Sequence, residues 1–323
     1  MSEKPAGTAL AVAGLVTTAL LWGMMIPMTH ALATRHLDPF FVSAVRYLIP
    51  APLLLALALI YDRKWPFRAP MPWARVLQLG AAMAMFSLCF TIGIMLSEPV
   101  RAAIVMSAGP LVAALLAKLM LRAPLARGFW PAAIAAMVGA ALVAMDAVKA
   151  RASAPGEIAY LGEGLLVCAM VLWSWYSMRA QSWLAPLGFS QMRITLLSSL
   201  SGGLLICSLF GILATMQPDR LPTELPAASA IGMLLCIGLG GAGIAILFWN
   251  YGVSRIGVPV ATLYSSLAPV FAVTVSALFF GATITLQQVA GGILILAGIL
   301  RMQWMQVRAA RAAARAAARQ KMV

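Results

Sequence analysis

The sequence predicts an all-α membrane protein: ten transmembrane helices built as two inverted five-helix repeats, with the N and C termini in the cytoplasm. Three observations carry this. Apolar residues fill 63% of the 323 positions and charged residues only 10%, too few polar groups to coat a soluble globule. The apolar residues fall into ten runs of span length. The two halves of the chain also match each other at corresponding places.

A helix needs about 20 predominantly apolar residues to cross the hydrocarbon core. Runs of that kind cover residues 8–32, 40–61, 73–96, 99–121, 128–147, 159–181, 188–213, 226–249, 257–280 and 284–304. They are too long and too continuously apolar for barrel strands, and lipid requires each backbone polar group to be bonded within the protein, so helices are expected. The leading MSEKPAGTAL carries an acid beside its lone Lys, and the run after it lacks an A-x-A cleavage site. That run reads as a first span rather than a removable signal.

Lys and Arg placement sets the orientation. With a cytoplasmic N-terminus, sixteen basic residues lie on the cytoplasmic face and five (Arg35, Arg101, Lys149, Arg151, Arg220) on the other, while Arg46 and Arg193 fall inside spans. The setting is a multi-pass protein of a bacterial-type inner membrane.

The internal repeat is legible in register. Pro39, Ser43, Arg46 and Leu53 recur 147 positions later as Pro186, Ser190, Arg193 and Leu200. Leu21-Trp22 recurs at Leu172-Trp173, 151 later, and Gly93, Ala102, Pro110 and Gly139 recur 159 later as Gly252, Ala261, Pro269 and Gly298. Five spans per repeat is an odd number, so the second copy enters the membrane upside down. The repeats occupy 1–147 and 159–304, joined by a linker at 148–158 and followed by a basic cytoplasmic helical tail at 305–323. Inverted repeats with a site near the midplane are a construction of secondary transporters.

The net charge of +14 would ordinarily raise nucleic acid as a partner. Here the basic residues sit in the breaks between spans and in the tail, so no nucleic-acid partner is expected. In the tail, Arg308, Arg311, Arg315 and Arg319 recur at helical spacing, a stripe suited to the anionic cytoplasmic leaflet. Cys89, Cys168, Cys207 and Cys236 lie in separate runs without CxxC spacing or a nearby His, and read as small packing residues rather than as a metal or disulfide site. No HExxH, GxSxG or paired central carboxylates are present, so no enzyme activity, metal or cofactor is expected.

Charged groups inside a bilayer are costly and mark function by default. Arg46 and Arg193 are candidates for a gate or for holding a carboxylate; the plainer reading is snorkelling or an ion pair. Glu163, near the outer face with His30 and Arg46, is placed either to carry a coupling proton or to pair with Arg46, and the pair is favoured. No Asp or Glu occupies a central turn, which favours facilitation or exchange over proton exchange through a buried carboxylate. The candidate substrate-binding residues are Trp22 and its counterpart Trp173, Met83 and Phe86 on one face of the third span, Ser107, Tyr176, Tyr264 and Ser265. Such a set suits an apolar or aromatic side chain with polar ends; for each residue taken singly, helix packing is the competing reading. Pro110 and Pro269 are symmetric and serve either as hinges or as static kinks. The IGLGGAG stretch, Ile237 to Gly243, is expected to let another backbone approach closely. Trp65, Trp73, Trp183 and Trp304 read as interfacial belt residues.

Leu21-Trp22-Gly23, Arg46, Trp249-Asn250-Tyr251, Arg255-Ile256-Gly257, Leu267-Ala268-Pro269-Val270 and the run Gly291 to Gly298 together resemble the drug/metabolite transporter superfamily, in its EamA-like ten-helix branch. The resemblance covers nearly the whole chain. It implies a substrate cavity between two five-helix halves, alternating access and export of amino acids or related metabolites. The Glu that commonly follows the fourth and ninth spans in that branch is replaced by Arg122-Ala123-Pro124 and Gly281-Ala282-Thr283, a departure that fits an aromatic-amino-acid-exporter-like offshoot. The resulting expectation is a secondary transporter exporting amino acids, aromatic ones included. The alternatives are a carrier of other metabolites or drugs, or, further off, an intramembrane enzyme or a channel.

Overall fold

The computed structural model describes residues 5–33, 37–68, 70–96, 105–122, 125–146, 159–220, 226–280 and 283–320. The expected linker at 148–158 lies outside them. Every regular element among the described residues is helical: α1 (Pro5–Ala33), α2 (Pro39–Leu48), α3 (Ala51–Asp62), α4 (Trp73–Leu96), α5 (Gly109–Leu121), α6 (Phe129–Asp146), α7 (Ala159–Trp183), α8 (Gln191–Met216), α9 (Ala228–Leu235), α10 (Ala245–Ile256), α11 (Val258–Ser265), α12 (Ala268–Phe280) and α13 (Leu286–Gln320). A π-helical segment, Cys236–Ile244, joins α9 to α10. Among the described residues eight helical stretches are long and apolar enough to cross a membrane; two shorter apolar helices, Gly109–Leu121 and Phe129–Val143, stand where the fourth and fifth spans were expected.

Local chemistry explains the breaks. Asp38 caps α2 by accepting hydrogen bonds from the Phe40 and Phe41 amides at 2.8 and 3.1 Å, with Pro39 at the first helical position. The expected second span is not one uninterrupted helix, because Pro50 has no N–H to continue the ladder and α2 gives way to α3 at Ile49-Pro50. Arg63 and Arg122, at φ 51° and 48°, close α3 and α5 in the left-handed region. Ser190 caps α8 by accepting from the Arg193 amide.

The expected eighth span is a single rod from Ala228 to Ile256, but its middle is wound as a π-helix. Here the Ala245 amide reaches back to the Gly240 carbonyl, five residues earlier. The glycine-rich stretch does admit close neighbours. A Cβ on Gly238 would lie 2.9 Å from Ile49, and one on Gly243 would lie 2.8 Å from Pro50. The close approach therefore falls where α2 gives way to α3.

Apolar side chains fill both the interior and the outer surface. Leu119, Met216, Leu278 and Leu286 stand on the outside, as lipid contact permits. Small and hydroxyl-bearing residues lie within: Thr18, Ser43, Ser87, Ser177, Thr195 and Ser198 are buried. The helices pair as α6 with α13, α4 with α7, α1 with α10 and with α12, and α8 with both α2 and α4. At the α6–α13 seam Gly139 and Gly291 face each other so closely that a Cβ on either would sit 2.5 Å from the other's carbonyl oxygen. Helices from the first and second halves are thus interleaved, which brings residues of both to the centre. The tail continues α13 as helix to Gln320.

Candidate functional site

Five aromatic side chains from four rods converge where the halves meet. Trp22 comes from α1, Phe86 from α4, Trp173 and Tyr176 from α7, and Trp249 from α10. Trp173 is the hub: its ring centroid lies 5.4 Å from Trp22, 4.9 Å from Phe86, 5.5 Å from Tyr176 and 5.6 Å from Trp249. Trp22 and Trp249 are 5.3 Å apart. These separations are those of favourable edge-to-face and offset ring contacts.

The polar edges of the rings are held as well. The Trp22 indole N–H donates to the Gly241 carbonyl at 3.2 Å, an oxygen within the π-helical turn. The Trp249 indole donates to Ser177 Oγ at 2.8 Å, and Ser177 in turn donates to the Trp173 carbonyl at 2.8 Å. Asn250 Nδ2 donates to Tyr176 Oη at 3.0 Å and to Thr195 Oγ1 at 2.9 Å. Gln181 and Gln191 exchange hydrogen bonds at 2.8 and 3.0 Å, and Gln181 also reaches the Asn250 carbonyl. Asn250 Oδ1 and Ser199 Oγ are buried without a partner. The result is an aromatic cage walled by amides and hydroxyls, closed on itself in this conformation. Two apolar grooves of about 300 Å³ each are lined by none of these five rings, one including Phe67, Trp73 and Leu197, the other Leu21, Met24 and Leu239.

The two arginines inside spans differ sharply. Arg46 is 3% exposed. It hydrogen-bonds Ser87 Oγ through a terminal nitrogen and sits 5.3 Å from the centre of the Tyr47 ring, and its Nε has no partner. Snorkelling is therefore not its arrangement, and its hydrogen bond goes to a hydroxyl rather than to Glu163. Glu163 belongs to the turn of α7 beside Gly93, where a Cβ on Gly93 would meet the Gly162 carbonyl. Ser87 lies six residues away along α4, about 9 Å at the helical rise. Arg193 instead clasps a loop: it donates to the Pro66 carbonyl at 2.6 Å and the Arg68 carbonyl at 3.1 Å, over the Phe189 ring at 3.8 Å. Ser190 donates to Asp62 at 2.5 Å beside it. At the start of α2, Arg220 pairs with Asp38 at 2.9 Å and covers the Phe40 ring.

The EamA-like transporter family matches residues 9–145 and again residues 160–302. The chain belongs to the EamA-like transporter family. It is 24% identical over 222 residues to "Uncharacterized transporter YyaM" of Bacillus subtilis (strain 168), covering 67% of this chain and 68% of that one. A solved structure, "Crystal structure of protein", superposes with a TM-score of 0.77 at 19% identity, over 95% of this chain and 99% of the other. It shares the fold. The chain is thus a multi-pass membrane transporter of the drug/metabolite superfamily, with one EamA repeat in each half.

Of the residues expected to bind substrate, Trp22, Phe86, Trp173 and Tyr176 come together. Met83 is fully buried on the same helix as Phe86 and packs where Gly202 passes. Tyr264 is bonded to Gln303 and Ser265 to the Thr262 carbonyl, so both hydroxyls are engaged within or beside their own helices. Ser107 is buried in a short helical stretch ahead of the turn at Ala108. Pro110 and Pro269 both follow such turns: Ala108 donates to the Val105 carbonyl and Leu267 to the Tyr264 carbonyl, so each of these paired spans is broken next to its proline. Glu163 is half-buried. His30 lies in α1 with its side chain outside the described residues.

Trp249, Asn250, Ser177 and Thr195 were not among the residues expected at the site. A signal for the first existed: subtracting the repeat offset of 159 from Trp249 gives Phe90, whose ring lies 5.7 Å from Phe86. Asn250 maps likewise onto Thr91, a buried hydroxyl bonded to Ser43 at 3.3 Å.

Proposed function

We propose that this EamA-like transporter exports amino acids, aromatic ones included, across a bacterial inner membrane by alternating access between two inverted five-helix halves. The observation that carries the reading is the aromatic cage: rings drawn from both repeats pack against one another at the centre, and parting them would offer their flat faces to an apolar side chain, while the surrounding amides and hydroxyls suit polar ends. Opening the cage to one side at a time would take cargo through the centre.

Reciprocal clasps support the inverted arrangement. The loop after α3 is held over the start of α8 by Arg193 and the Asp62–Ser190 bond, and the segment after α8 is held over the start of α2 by the Arg220–Asp38 pair. Each half's second rod begins under the exit of the other's, as a twofold axis in the membrane plane would arrange it. The two contacts then close opposite faces. The excess of basic residues supports a cytoplasmic position for the Arg193 clasp and both termini. The long α13, with Arg308 stacked 3.8 Å from the Trp304 ring, lies against anionic lipid there.

The test is exchange of labelled amino acids, aromatic and aliphatic, across liposomes holding the purified protein, with and without an imposed proton gradient. Saturable exchange without a gradient supports a facilitative amino-acid carrier. Absence of any amino-acid flux refutes the cargo assignment, and strict gradient dependence refutes facilitation.

A further inference from the structure

A guanidinium inside a bilayer-spanning bundle is expensive unless its charge is answered. Arg46 has withdrawn from both membrane faces, with only 3% of its surface exposed. Among the described residues no carboxylate lies within ion-pair distance of it. Its company is Ser87, Tyr47 and an open Nε. Its counterpart Arg193 has two backbone carbonyls for its donors and a ring beneath it. The repeat therefore placed equivalent cations in both halves, and one became a loop clasp while the other faces inward with donor capacity unused.

That capacity sits beside the cage. Ser87 follows Phe86, whose ring stacks on Trp173. Tyr47 lies next to Arg46 and shares one buried core cluster with Tyr176 and Trp173, whose rings are 5.5 Å apart. We infer that Arg46 is the anion anchor of the transport site, taking the carboxylate of the cargo while its apolar part enters the aromatic cage. This deepens the proposed function and rests on it for the cage being the cargo site. One planar fork flanked by hydroxyls suits a monoanionic carboxylate, which Arg can hold through two parallel hydrogen bonds. A dianionic phosphate group would call for more than one cation.

The experiment titrates the purified full-length protein, followed by tryptophan fluorescence, with L-phenylalanine, phenylpropionate and L-phenylalaninamide. The last lacks the carboxylate. The acids are expected to bind about tenfold or more tighter than the amide, the usual scale for a hydrogen-bonded charge, and Arg46→Gln is expected to remove that preference, with Arg46→Lys retaining part of it. Should Arg46→Gln fail to fold, Ser87→Ala serves, weakening both acids several-fold and leaving the amide unchanged. Equal binding of acid and amide by the wild type, or acid binding unaltered in a folded Arg46→Gln, overturns the anchor. The two readings separate cleanly. Arg46-dependent binding of phenylpropionate without phenylalanine transport keeps the anchor and refutes the amino-acid cargo, whereas phenylalanine transport with unchanged KM in Arg46→Gln does the reverse. No binding by any probe overturns the anchor.

Discussion

Replacing Trp249 separates two contributions to the centre of the fold. The side chain is fully buried, touches the rings of Trp22 and Trp173 at 5.3 and 5.6 Å and donates a 2.8 Å hydrogen bond to Ser177. Trp249→Ala empties the position, and large-aromatic truncations of this kind cost about 3–5 kcal/mol, the two ring pairs contributing about 0.5–1.5 kcal/mol each. Trp249→Phe keeps a ring and loses the hydrogen bond. Ser177 still has the Trp173 carbonyl to donate to, so no donor is stranded and the loss is about 1 kcal/mol, plus the smaller ring's lost contacts. Unfolding by detergent titration in mixed micelles, followed by far-ultraviolet circular dichroism, reads both variants against the wild type. The expected order is Ala far below Phe, and Phe modestly below wild type. Two variants within about 0.5 kcal/mol of the wild type, the ordinary scatter for sites without such contacts, would refute a packed aromatic centre.

Three further outcomes follow from particular contacts. Gly139→Val places a Cβ 2.5 Å from the Gly291 carbonyl, and the overpacking should cost about 1–3 kcal/mol, read as a lowered Tm in detergent; an unchanged Tm would mean α6 and α13 do not meet so closely. Arg193→Ala frees the Pro66 and Arg68 carbonyls, so a cysteine introduced at Lys64 should react faster with a membrane-impermeant maleimide than in the Arg193 parent, and an equal rate would dismiss the clasp. Pro110→Ala and Pro269→Ala restore a backbone N–H beside each helix break. If the breaks are hinges, turnover falls in both variants with binding retained; unaltered turnover leaves them as static kinks.

How much of this was legible depends on which physical signal each feature left. Span-length apolar runs follow from the thickness of lipid, and eight of the ten runs hold helical stretches of span length among the described residues, while α5 and α6 lie within the other two and are shorter than a span. Trp22 and Trp173 were found through the repeat because symmetry marks position without requiring a contact map. Trp249 shares the same repeat, but its partner is Phe90 rather than another Trp, so an identity search passed over it. The π-helical turn left only a run of glycines, which announces close packing and says nothing of a five-residue hydrogen-bond step. Arg46 shows the limit most plainly. Sequence gives its depth along α2, from which snorkelling looked reasonable, yet its fate is decided by lateral neighbours on α4 that only the folded bundle brings alongside. The contrast with Arg193, equivalent in repeat position and opposite in surroundings, was invisible for the same reason.

The central claim is that cargo passes through the aromatic cage, and Trp173, which touches the other four rings, is where it is most exposed to test. Uptake of labelled L-phenylalanine into liposomes would be measured side by side for the wild type and for Trp173→Ala, each shown to be folded and equally incorporated. The account predicts saturable uptake by the wild type and loss of most of it in Trp173→Ala. Undiminished uptake in the variant would contradict it.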